Sequence, residues 1–273
     1  MNQENSFIKQ LTEQHIISPT SLNNYLTCPR KFFYQNLIRI PQGRNKSAAM
    51  GSAIHSALNI YFRKYHRSKI KPGAEFLTLE YQYYLDKELL TNKDYKERLE
   101  IGQNILNDYF TEKNDQFSFD TITEYNFSTH GVNIDGIQIT GKIDKIVPDF
   151  DKSSLIITDF KTGNADSAQQ RCRYGEDYWR QVIFYKILCD NSPQFKKEFQ
   201  NAQMTSGQLE FLEKSRSKQE YLNSIIDLTP QAIDEVKNSI KIVHQQIINL
   251  NFEKIEKSNP CDYCPFYNLC WKN

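Results

Sequence analysis

The feature that most restricts the fold of this chain is a short apolar run that ends in two charged residues. Leu155-Ile156-Ile157-Thr158 has the composition of a buried β-strand, and Asp159-Phe160-Lys161 follows it directly. Because side chains two positions apart on a strand point to the same side, Asp159 and Lys161 should project together while Phe160 turns into the core. Taken alone, this triplet is more typical of a surface ion pair at the end of a strand.

A second acidic residue precedes this run. Gly141-Lys142-Ile143-Asp144 places an aspartate among strand-forming residues, where a carboxylate is costly unless it is paired or binds a cation. Two carboxylates from neighbouring strands would form a hard oxygen site suited to Mg²⁺ or Mn²⁺. Elsewhere, Gly51 and His55 are four residues apart, as are Gln181 and Tyr185, which places each pair on one helix face. A lone histidine such as His55 is more often structural than a metal ligand.

Helical periodicity surrounds the strand cluster. Strands are expected within 121–161 and again at 208–212, with glycines between the earlier ones. Helices are predicted from Ser18 to about Tyr25, Met50 to Tyr65, Phe76 to Phe110 as one or two helices, Tyr178 to Cys189, and Thr229 to about Leu250. This order predicts an α/β domain with a small mixed sheet flanked by helices.

Charge is unevenly distributed, although the net charge of the chain is only +1. Between Gln14 and Ala74 there is no Asp or Glu, whereas the rest of the chain carries a net charge of −9. A chain polarised in this way can hold an anionic polymer on one face, although an ordinary solvated face gives the same pattern. The basic residues of this stretch are Arg30, Lys31, Arg39, Arg44, Lys46, Arg63, Lys64, Arg67, Lys69 and Lys71.

The hydropathy of the chain argues against a membrane protein. Mean hydropathy is −0.66, no long apolar run is present, and the N-terminal residues lack the basic flank and apolar stretch of a secretory signal. We therefore expect a cytoplasmic protein without membrane contact. Thiols stay reduced in that compartment, so the six cysteines should be ligands or buried residues, not disulfides.

Four motifs occur in an order that resembles the PD-(D/E)XK nuclease superfamily, specifically its RecB-like branch. They are Gly51-x-x-x-His55, Gly141-x-x-Asp144, Asp159-x-Lys161 and Gln181-x-x-x-Tyr185. The resemblance implies a restriction-endonuclease-like fold, in which helices flank a central mixed sheet. It further implies a helical N-terminal part and one nuclease domain over residues 1–273, with a helical insertion at about 70–115.

The resemblance also implies roles for these residues. It makes His55, Asp144, Asp159 and the Phe160 carbonyl the ligands of a divalent Mg²⁺ or Mn²⁺, and a histidine ligand favours Mn²⁺. Lys161 would be the catalytic lysine, which orients or deprotonates the attacking water or neutralises developing charge.

Three further residues belong to the implied site. Gln181 and Tyr185 would help to place the DNA strand and the lysine. Glu124 lies where such proteins often carry an acidic residue, and its role stays open.

The remaining signal is a group of cysteines. Cys261, Cys264 and Cys270 cluster near the C-terminus, and Cys28 is the natural fourth ligand. Four thiolates fit a structural zinc as well as an iron–sulfur cluster. The arrangement resembles the iron–sulfur staple of RecB-like nucleases, found in AddB-type helicase–nuclease subunits and CRISPR adaptation nucleases, and this implies a [4Fe–4S] cluster. Of the other two cysteines, Cys189 is expected in the core of a helix, and Cys172 has no assigned role.

These expectations converge on a metal-dependent DNA nuclease. Its expected activity is that of a single-strand-preferring exonuclease or end-processing enzyme in DNA repair or recombination. One alternative is the nuclease subunit of a helicase–nuclease or CRISPR adaptation complex, with a helicase or integrase as a separate partner. An alternative of another class is a non-catalytic DNA-binding iron–sulfur scaffold, against which the intact Asp144, Asp159 and Lys161 argue.

Overall fold

The structure is a computed structural model that describes residues 3–43 and 45–271, so Arg44 of the basic stretch lies outside the described residues. The helices are α1 (Gln3–Glu13), α2 (Pro19–Thr27), α3 (Pro29–Phe32), α4 (Lys46–Ser68), α5 (Ala74–Leu85), α6 (Asn92–Lys113), α7 (Ala165–Ala168), α8 (Asp177–Asn191), α9 (Pro193–Glu198), α10 (Pro230–Ile248), α11 (Asn259–Asp262) and α12 (Tyr267–Trp271). The strands are β1 (Ile122–Asn126), β2 (Asn133–Ile134), β3 (Ile137–Gln138), β4 (Lys142–Asp149), β5 (Ser154–Lys161), β6 (Gln203–Lys214) and β7 (Tyr221–Ile226).

The longer strands form one mixed sheet in the order β1-β4-β5-β6-β7. Strands β5 and β6 are parallel, and the other neighbouring pairs in this sheet are antiparallel. Strands β2 and β3 form a separate short hairpin. The small mixed sheet flanked by helices that the sequence predicts is therefore confirmed.

Helices cover both faces of this sheet, and β5 contributes to both layers. Leu155 and Ile157 belong to a buried cluster shared with α2, α8 and α10, whereas Phe160 belongs to a second cluster shared with α4, α5 and α6. Phe160 is only 2% exposed, which confirms that it turns into the core. The alternation of side chains on a strand then directs Asp159 and Lys161 towards α8.

Local sequence explains how α2 begins and ends. The Ser18 hydroxyl accepts a hydrogen bond from the Ser21 backbone N–H, and the Ser21 hydroxyl accepts one from the Ser18 N–H, so the two residues form a capping box. Pro19 occupies the first turn, where a missing N–H costs nothing. The helix ends at Thr27, and Cys28 stands at the start of the short α3 that Pro29 opens.

The sequence patterns did not predict every element, and helices α1, α7, α9, α11 and α12 and strand β7 were missed. Strand β7 has weak alternation because Asn223 and Ser224 interrupt its apolar residues, and α9 is too short to give a clear helical period. No helix in the described part of the chain combines the length and apolar character needed to cross a lipid bilayer.

Helices α5 and α6 pack against each other through the fully buried side chain of Tyr81. The Tyr81 hydroxyl donates to the Arg98 carbonyl at 2.6 Å, which fixes the ring beside Gly102 of α6. A Cβ at Gly102 would lie 2.2 Å from the Tyr81 hydroxyl oxygen, so α6 approaches α5 closely only because this position is glycine.

We predict that Gly102→Ala lowers the free energy of unfolding by about 1–3 kcal/mol, because the new methyl group forces the buried ring to move. Alanine would otherwise favour the helix by up to about 1 kcal/mol. Urea unfolding followed by circular dichroism measures the change. Gly43→Ala, where a Cβ meets no atom within 4 Å, is the matched control and should stay within about 0.5 kcal/mol of the parent. Equal midpoints for both variants would contradict this packing.

Candidate metal centre and cysteine site

Three carboxylates lie side by side across neighbouring strands. Glu124 lies opposite Asp144, since the pairs Thr123↔Lys145 and Tyr125↔Ile143 flank it in the register of β1 with β4. The last pair between β4 and β5 is Lys145↔Thr158, so Asp159 is the next residue across from Asp144. Like charges at opposed positions repel unless other charges neutralise them.

Helix α4 brings an imidazole to the middle carboxylate. His55 Nδ1 lies 3.3 Å from Asp144 Oδ2, and the Phe160 backbone N–H donates to the same oxygen at 3.0 Å. Ligand atoms of His55, Glu124 and Asp144 all lie within 4.8 Å of one another. One imidazole nitrogen and carboxylate oxygens are a donor set that accepts Mn²⁺ or Mg²⁺. The residues present therefore fit a divalent cation.

Glu124 reaches this group through an unusual backbone conformation. Its φ is +54°, a left-handed value that interrupts the extended run of β1 and that residues other than glycine rarely adopt. Its carboxylate pairs with Lys142 of β4. Strained backbone of this kind concentrates at functional sites, which agrees with a place for Glu124 in the metal-binding group.

Asp159 has a different surrounding from Asp144. Its Oδ1 accepts hydrogen bonds from the Tyr185 hydroxyl and the Gln181 amide, both at 2.7 Å. Its Oδ2 lies 2.6 Å from Lys161 Nζ but is buried without a well-directed hydrogen bond. Asp159 is not part of the three-residue group, so its role as a metal ligand stays a prediction.

The Lys161 ammonium is held in place from two sides. Gln181 Oε1 accepts its hydrogen bond at 2.8 Å, and its Nζ lies 4.0 Å from the centre of the Tyr178 ring. Burial alone would lower the pKa of Lys161, but the neighbouring Asp159 carboxylate raises the pKa above its ordinary value. Lys161 is therefore positively charged at neutral pH. Gln181 joins Lys161 to Asp159 through its side-chain amide, and its role in placing the lysine stays a prediction.

Burial and neighbouring charges also determine the pKa of His55 and the pKa of Tyr185. Burial acts to lower the pKa of His55, but the negative charges of Asp144, Asp159 and Glu124 outweigh it, and the pKa is raised. Burial and the Asp159 charge raise the pKa of Tyr185 well above its ordinary value, so its hydroxyl stays a neutral donor.

One open cleft of about 600 Å³ extends from these residues to Ser18 and Thr140. The side chains of the site that border it are His55, Asp144, Asp159, Lys161, Gln181 and Tyr185, whereas Glu124 borders a separate cavity. Tyr178 and Lys142 also border the cleft and were not singled out from the sequence. Tyr178 could have been found because it lies three residues before Gln181 on the same helix face.

Close packing brings α4 to the turn after Lys161. A Cβ at Gly51 would lie 2.9 Å from Thr162 Oγ1, so glycine permits the close approach expected at that position. Gly163 has φ +107° and its N–H donates to Glu213 Oε1 at 2.6 Å, which fixes the exit turn.

A second site lies away from this cleft. Cys28 and the C-terminal cysteines Cys261, Cys264 and Cys270 border one small cavity, together with aromatic side chains. All four are free thiols. Because thiols from distant parts of the chain meet at this cavity, burial and the neighbouring Cys264 and Cys28 raise the pKa of Cys270. Among the described residues, the structure thus brings the four predicted ligands to one place.

The other cysteines lie elsewhere. Cys189 is 3% exposed in α8, which confirms it as a helix core residue, and Cys172 packs at the edge of the same core. Neither borders the cysteine cavity.

The comparison with known families agrees with this geometry. The model of a family described as the PD-(D/E)XK nuclease superfamily matches residues 16–271. The chain belongs to the PD-(D/E)XK nuclease superfamily. This match confirms the superfamily predicted from the four motifs, and with it a metal-dependent nuclease. The match does not distinguish branches of the superfamily, so the RecB-like branch stays a prediction.

Other comparisons add little. The crystal structure of SSO0001 is similar over 98% of this chain and 96% of that chain, at 15% sequence identity and a TM-score of 0.45. No curated protein matches the chain.

We predict that Asp144→Asn weakens Mn²⁺ binding by roughly tenfold or more, because it removes the charge at the centre of the ligand group. Isothermal titration calorimetry of the purified protein with MnCl₂ measures the affinity. Asp149→Asn is the control, since it lies at the far end of the same strand and pairs only with Lys152 among the described residues. Equal affinities for the two variants would place the metal elsewhere.

Proposed function

We propose that this chain is a metal-dependent deoxyribonuclease of the RecB-like branch that hydrolyses phosphodiester bonds in single-stranded DNA or at free DNA ends. The observation that supports it most is the alignment of Glu124, Asp144 and Asp159 within reach of His55 and Lys161. This arrangement joins a cation-binding group to a fixed ammonium at one edge of an open cleft.

In this proposal His55, Asp144, Asp159 and the Phe160 carbonyl hold Mg²⁺ or Mn²⁺, and the geometry adds Glu124 to the set. The position of Asp159 directly across from Asp144 in the sheet supports its inclusion. A divalent ion bound there lowers the pKa of a coordinated water and polarises the phosphate.

The protein side chains supply the rest of the chemistry. Lys161 presents a positive charge to the oxygens that gain charge as the phosphodiester is attacked. Gln181 and Tyr178 hold the ammonium in place, so little reorganisation is needed when substrate arrives. Tyr185 fixes the orientation of Asp159 through its hydroxyl hydrogen bond.

For the cysteine site we propose a [4Fe–4S] cluster in preference to zinc. Four thiolates around one cavity can hold either group. The resemblance of this cysteine arrangement to the iron–sulfur staple of RecB-like nucleases is what favours the cluster.

The biological setting that we propose follows from this cysteine arrangement. It suits DNA end processing in repair or recombination, either by the chain alone or as the nuclease subunit of a helicase–nuclease or CRISPR adaptation complex. A helicase or integrase would then be a separate protein. A purely structural DNA-binding scaffold would have no need of the network that joins Asp159, Lys161 and Gln181.

We predict that Asp159→Ala and Lys161→Ala each reduce DNA cleavage by at least about 10²–10³-fold, because the first removes a proposed ligand of the ion and the second removes charge that stabilises the transition state. End-labelled single- and double-stranded DNA, incubated with Mn²⁺ and separately with Mg²⁺, gives the rate and the strand preference. Lys218→Ala, in the exposed turn between β6 and β7, should cleave at the parental rate. Near-parental cleavage by the Asp159 variant would refute this site.

We predict that anaerobically purified protein is brown and contains about four irons per chain. Cys28→Ser should lose the iron and lower the melting temperature, since it removes the ligand that joins the two ends of the chain. Cys172→Ser and Cys189→Ser are the controls and should retain iron. A colourless protein with one zinc would refute the iron–sulfur proposal, and a Cys28 variant with full metal content would refute the staple.

A further inference from the structure

A row of polar residues on α4 leads away from the metal centre. His55, Asn59, Arg63 and Arg67 are each four positions apart, so consecutive members face the same side of the helix. Asn59 Oδ1 accepts a hydrogen bond from the Thr123 hydroxyl at 2.8 Å, so the row follows the edge strand β1. At 1.5 Å per residue, the two arginines lie about 12 and 18 Å beyond His55 along the helix axis.

Both arginines border a cavity that adjoins the catalytic cleft. This cavity of about 440 Å³ lies between α4 and β1, and Glu124 of the metal-binding group forms part of its wall. The ion pair of Glu124 with Lys142 separates it from the cleft, which Lys142 borders. A polymer that passes through the cleft would therefore meet the two arginines next.

Neither guanidinium is neutralised by a residue that the structure describes. Arg63 and Arg67 are exposed and form no ion pair with a described residue, whereas Lys46 of the same helix pairs with two acids of α6. Besides Glu124, the acidic group at this cavity is Glu198, which accepts a hydrogen bond from the Tyr125 hydroxyl. Arginines without acidic partners beside a cleft are suited to bidentate contacts with phosphate groups.

We infer that Arg63 and Arg67 bind the sugar–phosphate backbone of the nucleic-acid strand several nucleotides from the bond that is cut. This inference rests on the proposed nuclease function and adds a binding site for one flank of the substrate. At about 3.4 Å per nucleotide of a stacked strand, the distances along α4 correspond to roughly four to five nucleotides. Substrates that are shorter on this side would not reach both arginines.

The test compares the salt dependence of DNA binding, measured in an Asp159→Ala background so that the strand stays intact. Fluorescence anisotropy with a labelled single-stranded 20-mer is recorded over a series of KCl concentrations. Arg63→Gln/Arg67→Gln should reduce the slope of log affinity against log salt by about 1.4, since each phosphate contact to a single strand contributes about 0.7. Lys93→Gln/Lys96→Gln removes the same charge from exposed positions of α6 and should leave the slope unchanged.

Cleavage by protein with an intact Asp159 separates this inference from the proposed function. Arg63→Gln/Arg67→Gln should slow cleavage of long strands by tenfold or more but leave trinucleotide cleavage unchanged. If Arg63→Gln/Arg67→Gln leaves the salt slope unchanged while the parent protein cleaves normally, the arginine site is overturned and the proposed nuclease function is not. A parent that binds and cleaves no DNA would overturn both proposals. Equal loss of slope in the two double variants would show a general charge effect and would also overturn the site.

Discussion

The site depends on three carboxylates that the sheet register forces into one row. Such groups repel one another at short range, and the protein compensates each with its own partner. The pairs are Glu124 with Lys142, Asp144 with His55, and Asp159 with Lys161. A divalent cation bound in this row would compete with Lys142 for the Glu124 carboxylate.

These partners come from different parts of the fold. Lys142 lies on β4 with Asp144, and Lys161 lies on β5 with Asp159. The sheet itself therefore fixes the positions of both lysines. His55 lies on α4 and reaches Asp144 only because that helix packs closely on the sheet, with Gly51 against Thr162 and Phe160 in the core beneath it. The packing of α4, α5 and α6 thus determines whether the His55 imidazole reaches Asp144.

Short-range periodicity made much of this site predictable. Alternation along β5 placed Asp159 and Lys161 on one side, and helical spacing placed Gln181 beside Tyr185. The role of Glu124 stayed open at the sequence level because its position depends on a left-handed residue and on pairing with a strand about 20 residues away. Strand β7 and helix α9 were missed because their local patterns are weak and tertiary packing stabilises them.

Helix α2 connects the catalytic cleft to the cysteine site. Ser18 at its start borders the cleft, and Cys28 at its end borders the cysteine cavity. Asn23 in between donates to the Asp177 carbonyl at 3.0 Å and accepts from Arg180, which joins α2 to α8. Because α8 also carries Gln181 and Tyr185, a cluster that fixes the end of α2 would restrain the helix that orients Lys161. The staple would then act on catalysis mechanically, without any contact with the substrate.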